Sequence, residues 1–374
     1  MPSPTTTKRI GYLDAARGIA AFMVMIYHYT GWKYPEHLSV KASHLLFNGA
    51  DAVSFFFVLS GFVLSFPYLY YRKSMDIGKF YINRLFRIYP AFLIALILNV
   101  LFSQRNGLIQ APLDTLWNAF GFKGLAFWEE ALLFRGRSSY LGLDWTLTVE
   151  IVMSFFIPFL IAMVLYQRRL IIWMSVMSLF MTFIMGVFVT PFLLGILIAV
   201  YFDDIQSDKF QQTIGYRFRY LFILIGIIFF SLRQIDHLMP LSPSIHYFME
   251  AYQINFYMLS GIGSFILLVY IIRSHKAQRW LEQPLLIFLG KISYGVYLFH
   301  WVIVAAIFEY WDAIVLRFPN TTIAFIVMQL VCIILTLAAA TAIYYWIEIP
   351  LIQKGKRITQ RMKETLVIGT SNGN

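Results

Sequence analysis

The chain has 374 residues, of which 59% are hydrophobic and only 13% charged, and its formal net charge is +11. Soluble domains carry about 25% charged residues, so this composition excludes an ordinary soluble globular protein and indicates a polytopic membrane protein. The single cysteine, Cys332, excludes an intrachain disulfide and a zinc site built on paired cysteines.

The first predicted span, about residues 12–31, carries three ionisable residues on one stripe. Arg17 and His28 are eleven positions apart, which at about 100° per residue leaves them about 20° apart around the helix. Asp14, three residues before Arg17, falls near the same stripe. Ionisable groups inside a bilayer each cost about 2.5–3.5 kcal/mol and are usually paired and functional. All three are therefore candidate site residues, the alternative being that His28 only bonds a neighbouring helix.

Nine further apolar runs follow the first, and the third, sixth and seventh runs are short for a ~20-residue span. The ten runs are about 12–31, 52–71, 88–104, 145–165, 170–188, 190–203, 218–232, 250–273, 290–311 and 321–346. A long outer loop, about 105–144, separates the third run from the fourth.

Arg84 and Arg87 precede the third run and share a helix face at its cytoplasmic end. Two guanidinium groups suit a phosphate or a pyrophosphate. An anchor for anionic lipid explains the same spacing equally well.

Glu150 lies five residues after Trp145, where the fourth run starts from the outer side, and so about 7–8 Å below the outer surface by rise per residue. His28 lies about 24 Å along a core of about 30 Å, which is a matching depth. A carboxylate and an imidazole at one depth can act as orienter and general base. His300, about 13–15 Å into the ninth run, either lines the same cavity or is a satisfied core histidine.

With the N-terminus inside, most of the 30 Lys and Arg residues fall in inner segments. This bias predicts that both termini are cytoplasmic, and it attributes the positive charge to topology and anionic lipid rather than to nucleic acid. The sequence predicts an all-α membrane bundle of about ten transmembrane helices, in one domain over residues 8–350. Residues 351–374 are expected to form a basic, loosely ordered cytoplasmic tail.

Six stretches in order resemble the acyltransferase family 3 membrane proteins, which modify cell-envelope and extracellular sugars. They are Leu13-Asp14 with Arg17 and His28, the aromatic stretch 55–62, Arg84 to Pro90, Trp145 to Glu150, the stretch 191–195, and Ser293 to His300. Together they cover residues 10 to about 350. Many members carry an aspartate two residues before the Phe-Phe pair; here that position is Ser54, with Asp51 three residues earlier.

The resemblance implies an O-acyltransferase of the inner or plasma membrane that uses acyl-CoA, expected to be acetyl-CoA, and no metal. Arg84 and Arg87 would hold the nucleotide phosphates. His28 would act as general base or transient acyl carrier and Glu150 would orient it, while Arg17 with Asp14 would shape the donor channel. The acceptor would be a hydroxyl of a carbohydrate or envelope glycan, and the outer loop is expected to contribute to its choice through Trp117, Trp128, Glu129, Glu130, Arg135 and Arg137.

Two other functions remain open from the sequence. A transporter or flippase of a sugar or lipid-linked substrate would also place polar residues inside a ten-span bundle, although two related halves are not evident in the sequence. A non-catalytic member that only binds acyl-CoA is the third possibility, and Ser54 keeps it open.

Overall fold

The computed structural model describes residues 10–31, 38–103, 125–133, 141–180, 189–251, 255–308 and 310–371. Within these ranges the regular elements are helices, as the sequence predicts. In chain order they are α1 (Gly11–Gly31), α2 (Leu38–Leu46), α3 (Gly49–Leu69), α4 (Ile77–Ser103), α5 (Leu125–Ala131), α6 (Asp144–Tyr166), α7 (Leu170–Phe180), α8 (Val189–Val200), α9 (Phe202–Gln206), α10 (Asp208–Gln211), α11 (Ile214–Arg217), α12 (Arg219–Leu238), α13 (Pro243–Ala251), α14 (Phe256–Arg273), α15 (His275–Leu281), α16 (Pro284–Phe308), α17 (Trp311–Val315), α18 (Thr321–Ile343), a π-helix (Tyr344–Glu348) and α19 (Ile349–Ser371).

Seven helical stretches of the described residues are long and apolar enough to cross a membrane, which is three fewer than the ten predicted spans. They are Ser39–Leu69, Ile77–Phe102, Asp144–Tyr166, Arg219–Leu238, Phe256–Arg273, Pro284–Ile307 and Thr321–Met362. Of the other predicted spans, two correspond to shorter apolar helices, Leu170–Leu179 and Val189–Val200. The third corresponds to α1, whose 21 residues include Asp14, Arg17 and His28. Several apolar helices of this length indicate a multi-pass membrane protein.

Residues 351–371 are helical, contrary to the expectation of a loose tail. α18 continues through the π-helix directly into α19, which extends to Ser371. Gly355 of α19 packs against α4 so closely that a Cβ there would lie 2.9 Å from Cβ of Phe86, and Thr359 is buried. A polar composition does not exclude order, because packing along one face stabilises a helix that would be marginal alone.

The chain forms two compact units, one of residues 1–74 with 152–291 and the other of residues 75–151 with 292–374. These are called the first unit and the second unit below. The predicted domain limits at residues 8 and 350 stay a prediction.

In the first unit, α3 and α8 meet backbone to backbone. A Cβ at Gly61 would overlap the carbonyl oxygen of Phe192, and a Cβ at Gly195 would overlap that of Val58. Small residues at helix contacts are how membrane helices approach closely. This contact fixes the position of α3, whose first turn carries Asp51.

In the second unit, side chains of α16 bridge the neighbouring helices. Tyr294 Oη donates a hydrogen bond to the carbonyl oxygen of Ile88 in α4 at 2.7 Å, and the hydroxyls of Tyr297 and Thr146 in α6 are 2.6 Å apart. These bonds hold α4 and the first turns of α6 around the residues described next.

Candidate active site

The second unit contains a partly buried ion pair between Arg84 and Glu150. Arg84 Nη2 donates to Glu150 Oε1 at 2.6 Å, and the two side chains are 10% and 25% exposed. A bond this short between charged groups is among the stronger hydrogen bonds in proteins. The sequence predicts a phosphate as the partner of Arg84, at the cytoplasmic end of its span, and His28 as the partner of Glu150, near the outer surface. The structure shows that Arg84 and Glu150 bond to each other, so these two predicted depths cannot both be correct in a core of about 30 Å.

The two arginines of the predicted phosphate site occupy different environments. Arg84 is buried, whereas Arg87, three residues later in α4, is exposed. The helix that corresponds to the third predicted span begins at Ile77 rather than near 88, so it contains both arginines. Of the pair, Arg87 is the residue whose guanidinium group reaches the surface.

His300 lies fully buried in α16, with Nδ1 3.0 Å from the carbonyl oxygen of Val296. Its ring centroid is 6.0 Å from that of Tyr297. A bond to the carbonyl of the preceding turn needs a proton on Nδ1. This contact agrees with the core-histidine alternative and leaves the catalytic role of His300 a prediction.

In the first unit, α1 is one continuous helix over Asp14, Arg17 and His28. The predicted stripe is therefore present. Arg17 Nη1 donates to Asp14 Oδ1 at 3.3 Å, and the two side chains are 16% and 10% exposed. His28 is half-buried, and its ring lies edge-on to that of Tyr27. His28 and Glu150 belong to different units, so their predicted partnership stays a prediction.

A second histidine lies at the same end of α1, and the sequence did not indicate it. His44 of α2 is buried, with Nε2 2.9 Å from the hydroxyl of Thr30. Its ring centroid is 4.2 Å from that of Tyr27. The end of α1 that carries His28 is thus lined by a second imidazole.

A further buried ion pair lies at the start of α3. Asp51 is 1% exposed, and Arg233 Nη2 of α12 lies 3.6 Å from its Oδ1. The Arg233 guanidinium group stacks 3.8 Å from the ring centroid of Tyr257. Neither carboxylate oxygen of Asp51 accepts a hydrogen bond from a described residue. The hydroxyl of Ser54, one turn later in α3, is also buried and forms no hydrogen bond with a described residue.

Backbone and amide groups hold this pair in place. Asn48 caps α3, accepting from the Asp51 amide at 3.2 Å and donating to the carbonyl oxygen of Phe230 at 2.7 Å. Ser260 Oγ donates to the Asp51 carbonyl oxygen at 3.3 Å. The available signals were an aspartate just before the second predicted run, which starts at 52, and an arginine just past the seventh, which stops at 232.

The outer loop is described only in part. Trp117, Arg135 and Arg137 lie outside the described residues. Glu130 is buried and accepts a 2.6 Å hydrogen bond from the Leu141 amide, so it orders the chain before α6. Among the described residues, no group of three or more His, Cys, Asp or Glu side chains could hold a metal ion.

The model of a family described as an acyltransferase domain matches residues 10–345, which is most of the chain. The chain belongs to the acyltransferase family 3. The family match includes α1, both buried ion pairs and α16. The comparison thus places every candidate residue inside the family's domain.

The curated relatives that this acyltransferase family 3 chain matches are named as O-acetyltransferases. The chain is 24% identical over 378 residues to O-acetyltransferase OatA of Staphylococcus aureus strain NCTC 8325, and the match covers 92% of this chain and 57% of that one. It is 23% identical over 349 residues to a "Putative O-acetyltransferase" of strain COL, covering 82% and 53%. The chain therefore spans about half the length of the curated relatives it matches. No solved structure matches it.

Proposed function

We propose that the protein is an integral membrane O-acyltransferase that moves an acyl group, expected to be acetyl, from acyl-CoA to a hydroxyl of a carbohydrate or cell-envelope glycan. The proposal includes ten spans, cytoplasmic termini and the inner or plasma membrane. Family membership and the acetyltransferase names of its relatives support it. The observation that carries it is α1, a continuous helix with Asp14, Arg17 and His28 on one stripe.

In the proposed reaction, His28 removes the proton from the acceptor hydroxyl. The oxygen attacks the thioester carbonyl carbon, the carbon–sulfur bond breaks, and the leaving thiolate of CoA takes the proton from His28. Histidine suits this exchange because its ordinary pKa, about 6.5, lies near neutral pH. Glu150, itself bonded to Arg84, is proposed to orient His28, and the Arg17–Asp14 pair to shape the donor channel.

Donor binding is proposed for the cytoplasmic end of α4. Since Arg84 is engaged by Glu150 while Arg87 is exposed, Arg87 is the stronger candidate for direct contact with the nucleotide phosphates. Arg87→Gln should then raise KM for acetyl-CoA more than it lowers kcat, which is the signature of lost ground-state binding.

The decisive experiment measures acetyl-CoA turnover in membranes that contain His28→Ala or His28→Gln. A general base contributes about 10²–10⁴-fold, so we expect a loss of at least about 100-fold with normal amounts of folded protein. His246→Ala is the matched control, because His246 is 47% exposed and pairs with Asp236. Transfer at the wild-type rate to every acceptor tested in both His28 variants would contradict the proposal.

A transporter or flippase is the second candidate, and the buried Asp51–Arg233 pair favours it. Charged residues inside membrane helices also mark substrate and proton pathways. Substrate movement across vesicles without consumption of the thioester, lost in Asp51→Asn, would support transport. Thioester consumption that scales with acetylated product would support the transferase.

A further inference from the structure

A cavity of about 380 Å³ lies in the first unit, between the start of α12 and the end of α14. The two helices contact closely further along, where a Cβ at Gly263 would be 2.6 Å from the carbonyl oxygen of Gly226. The cavity lies between this contact and the helix ends that carry Arg219 and Arg273. Cavities of this volume are within the range that holds small-molecule ligands.

The cavity has a cationic end and an apolar body. Arg219, Arg273 and Lys276 line one end, and Phe222, Ile223, Phe265 and Ile266 line the remainder together with tyrosine rings. A ligand that fits both parts carries an anionic group joined to an apolar chain.

The two arginines are held by neutral partners. The Arg219 guanidinium group lies 4.8 Å and 4.6 Å from the ring centroids of Tyr216 and Tyr220. Arg273 Nη1 donates to the carbonyl oxygen of Gln206 at 2.6 Å. Both side chains are half-buried, and neither they nor Lys276 forms an ion pair with a described carboxylate. Half-buried cations without a counter-charge are costly unless an anion joins them.

The outer face of α12 indicates where the ligand comes from. Tyr220, Leu221, Leu224 and Ile228 fall within about 100° of one another around α12 and are between 39% and 69% exposed, and α12 is apolar enough to cross a membrane. Such a face meets lipid chains, and tyrosine is enriched at the level of the headgroups. Tyr220 of this face also lines the cavity, so a lipid beside α12 would lie next to it.

We propose that this cavity binds an anionic phospholipid, with the phosphate on Arg219 and Arg273 and one acyl chain along Phe222, Ile223 and Ile266. Arginine suits the phosphate because its planar fork donates two parallel hydrogen bonds to adjacent oxygens. The proposal does not depend on the acyltransferase chemistry, since it uses none of the candidate catalytic residues.

The test uses the full chain purified in detergent, with phosphatidylglycerol as the probe and phosphatidylcholine as the neutral lipid. Native mass spectrometry counts bound lipids, and the thermal unfolding midpoint is followed as each lipid is added. The wild type should retain phosphatidylglycerol in preference to phosphatidylcholine and gain thermal stability from it. Arg219→Gln should weaken that binding about tenfold, the factor that corresponds to about 1.4 kcal/mol.

Arg168→Gln is the matched control, because Arg168 also stacks on a tyrosine but pairs with Asp204; it should bind like the wild type. Ile223→Trp fills the apolar part and keeps all three cations, so it should lose phosphatidylglycerol while the variant stays folded. If Arg219→Gln misfolds, lipid binding is measured with Arg219→Lys instead, which keeps the positive charge but loses the planar guanidinium group.

Three outcomes would overturn the proposal. The first is equal retention of both lipids by the wild type. The second is unchanged phosphatidylglycerol binding in both Ile223→Trp and the folded Arg219 variant. The third is displacement of the bound lipid by acetyl-CoA with an affinity that Arg219→Gln reduces, which would assign the cavity to the donor nucleotide.

Discussion

Each compact unit buries a carboxylate beside a guanidinium group, and the two pairs differ in how completely they are bonded. In the second unit, Arg84 donates directly to Glu150 at 2.6 Å. In the first unit, Arg233 is 3.6 Å from Asp51 and rests on the ring of Tyr257. The carboxylate of Asp51 is also more deeply buried than that of Glu150, with 1% against 25% of the side chain exposed. The more deeply buried carboxylate thus has the longer contact with its arginine, and we expect burial to dominate the cost of removing one partner.

The largest effect is expected from Asp51→Leu. It leaves the Arg233 charge buried without its counter-charge, which costs about 3–5 kcal/mol. Unfolding of the purified protein in detergent measures the loss. Asp51→Leu combined with Arg233→Met should recover most of it, because a buried pair replaced by apolar residues is often neutral. A single variant as stable as the wild type would show that the two charges do not interact.

Arg84→Met should have a smaller effect, about 1–3 kcal/mol for a lost charged hydrogen bond. Glu150 is 25% exposed, so water can solvate the carboxylate that remains. Lys79→Met, at an exposed position of the same helix, is the control and should change stability by less than about 0.5 kcal/mol. If Arg84→Met cost more than Asp51→Leu, direct bonding rather than depth would control the energies.

The smallest effect is expected from Tyr297→Phe, about 0.5–1.5 kcal/mol, the range of a neutral hydrogen bond. The variant removes the 2.6 Å bond to Thr146, whose hydroxyl still donates to the Leu143 carbonyl oxygen at 2.8 Å. Hydrogen exchange at the first turn of α6 provides a local readout. Faster exchange there, with the rest of the chain unchanged, is the expected pattern.

Element positions were predictable where an apolar run ends abruptly at polar residues. The first predicted span, 12–31, corresponds to Gly11–Gly31, and the fourth, 145–165, to Asp144–Tyr166. The predicted stripe on α1 follows from helix geometry alone and is present. These features depend on local sequence, so no knowledge of neighbouring helices was needed.

The partners of charged residues were not predictable in the same way. Arg84 and Glu150 are 66 positions apart, and which faces of two helices meet depends on packing that the sequence does not display. The same holds for Asp51 and Arg233. The helix after Pro350 was missed because its composition was weighed without the surface of α4 that Phe86 presents to it.

The π-helix at Tyr344–Glu348 lets this segment hold one extra residue without changing the direction that α19 faces. A π-turn holds one more residue than an α-turn and arises as a local insertion in an otherwise regular helix. Deleting one residue there would restore ordinary winding and leave α19 facing nearly the same way, whereas deleting one residue in the regular turns of α18 would rotate everything that follows by about 100°. Only the second deletion would turn the side of α19 that bears Gly355 away from Phe86, so single-codon deletions should be tolerated better in the π-helix than in α18.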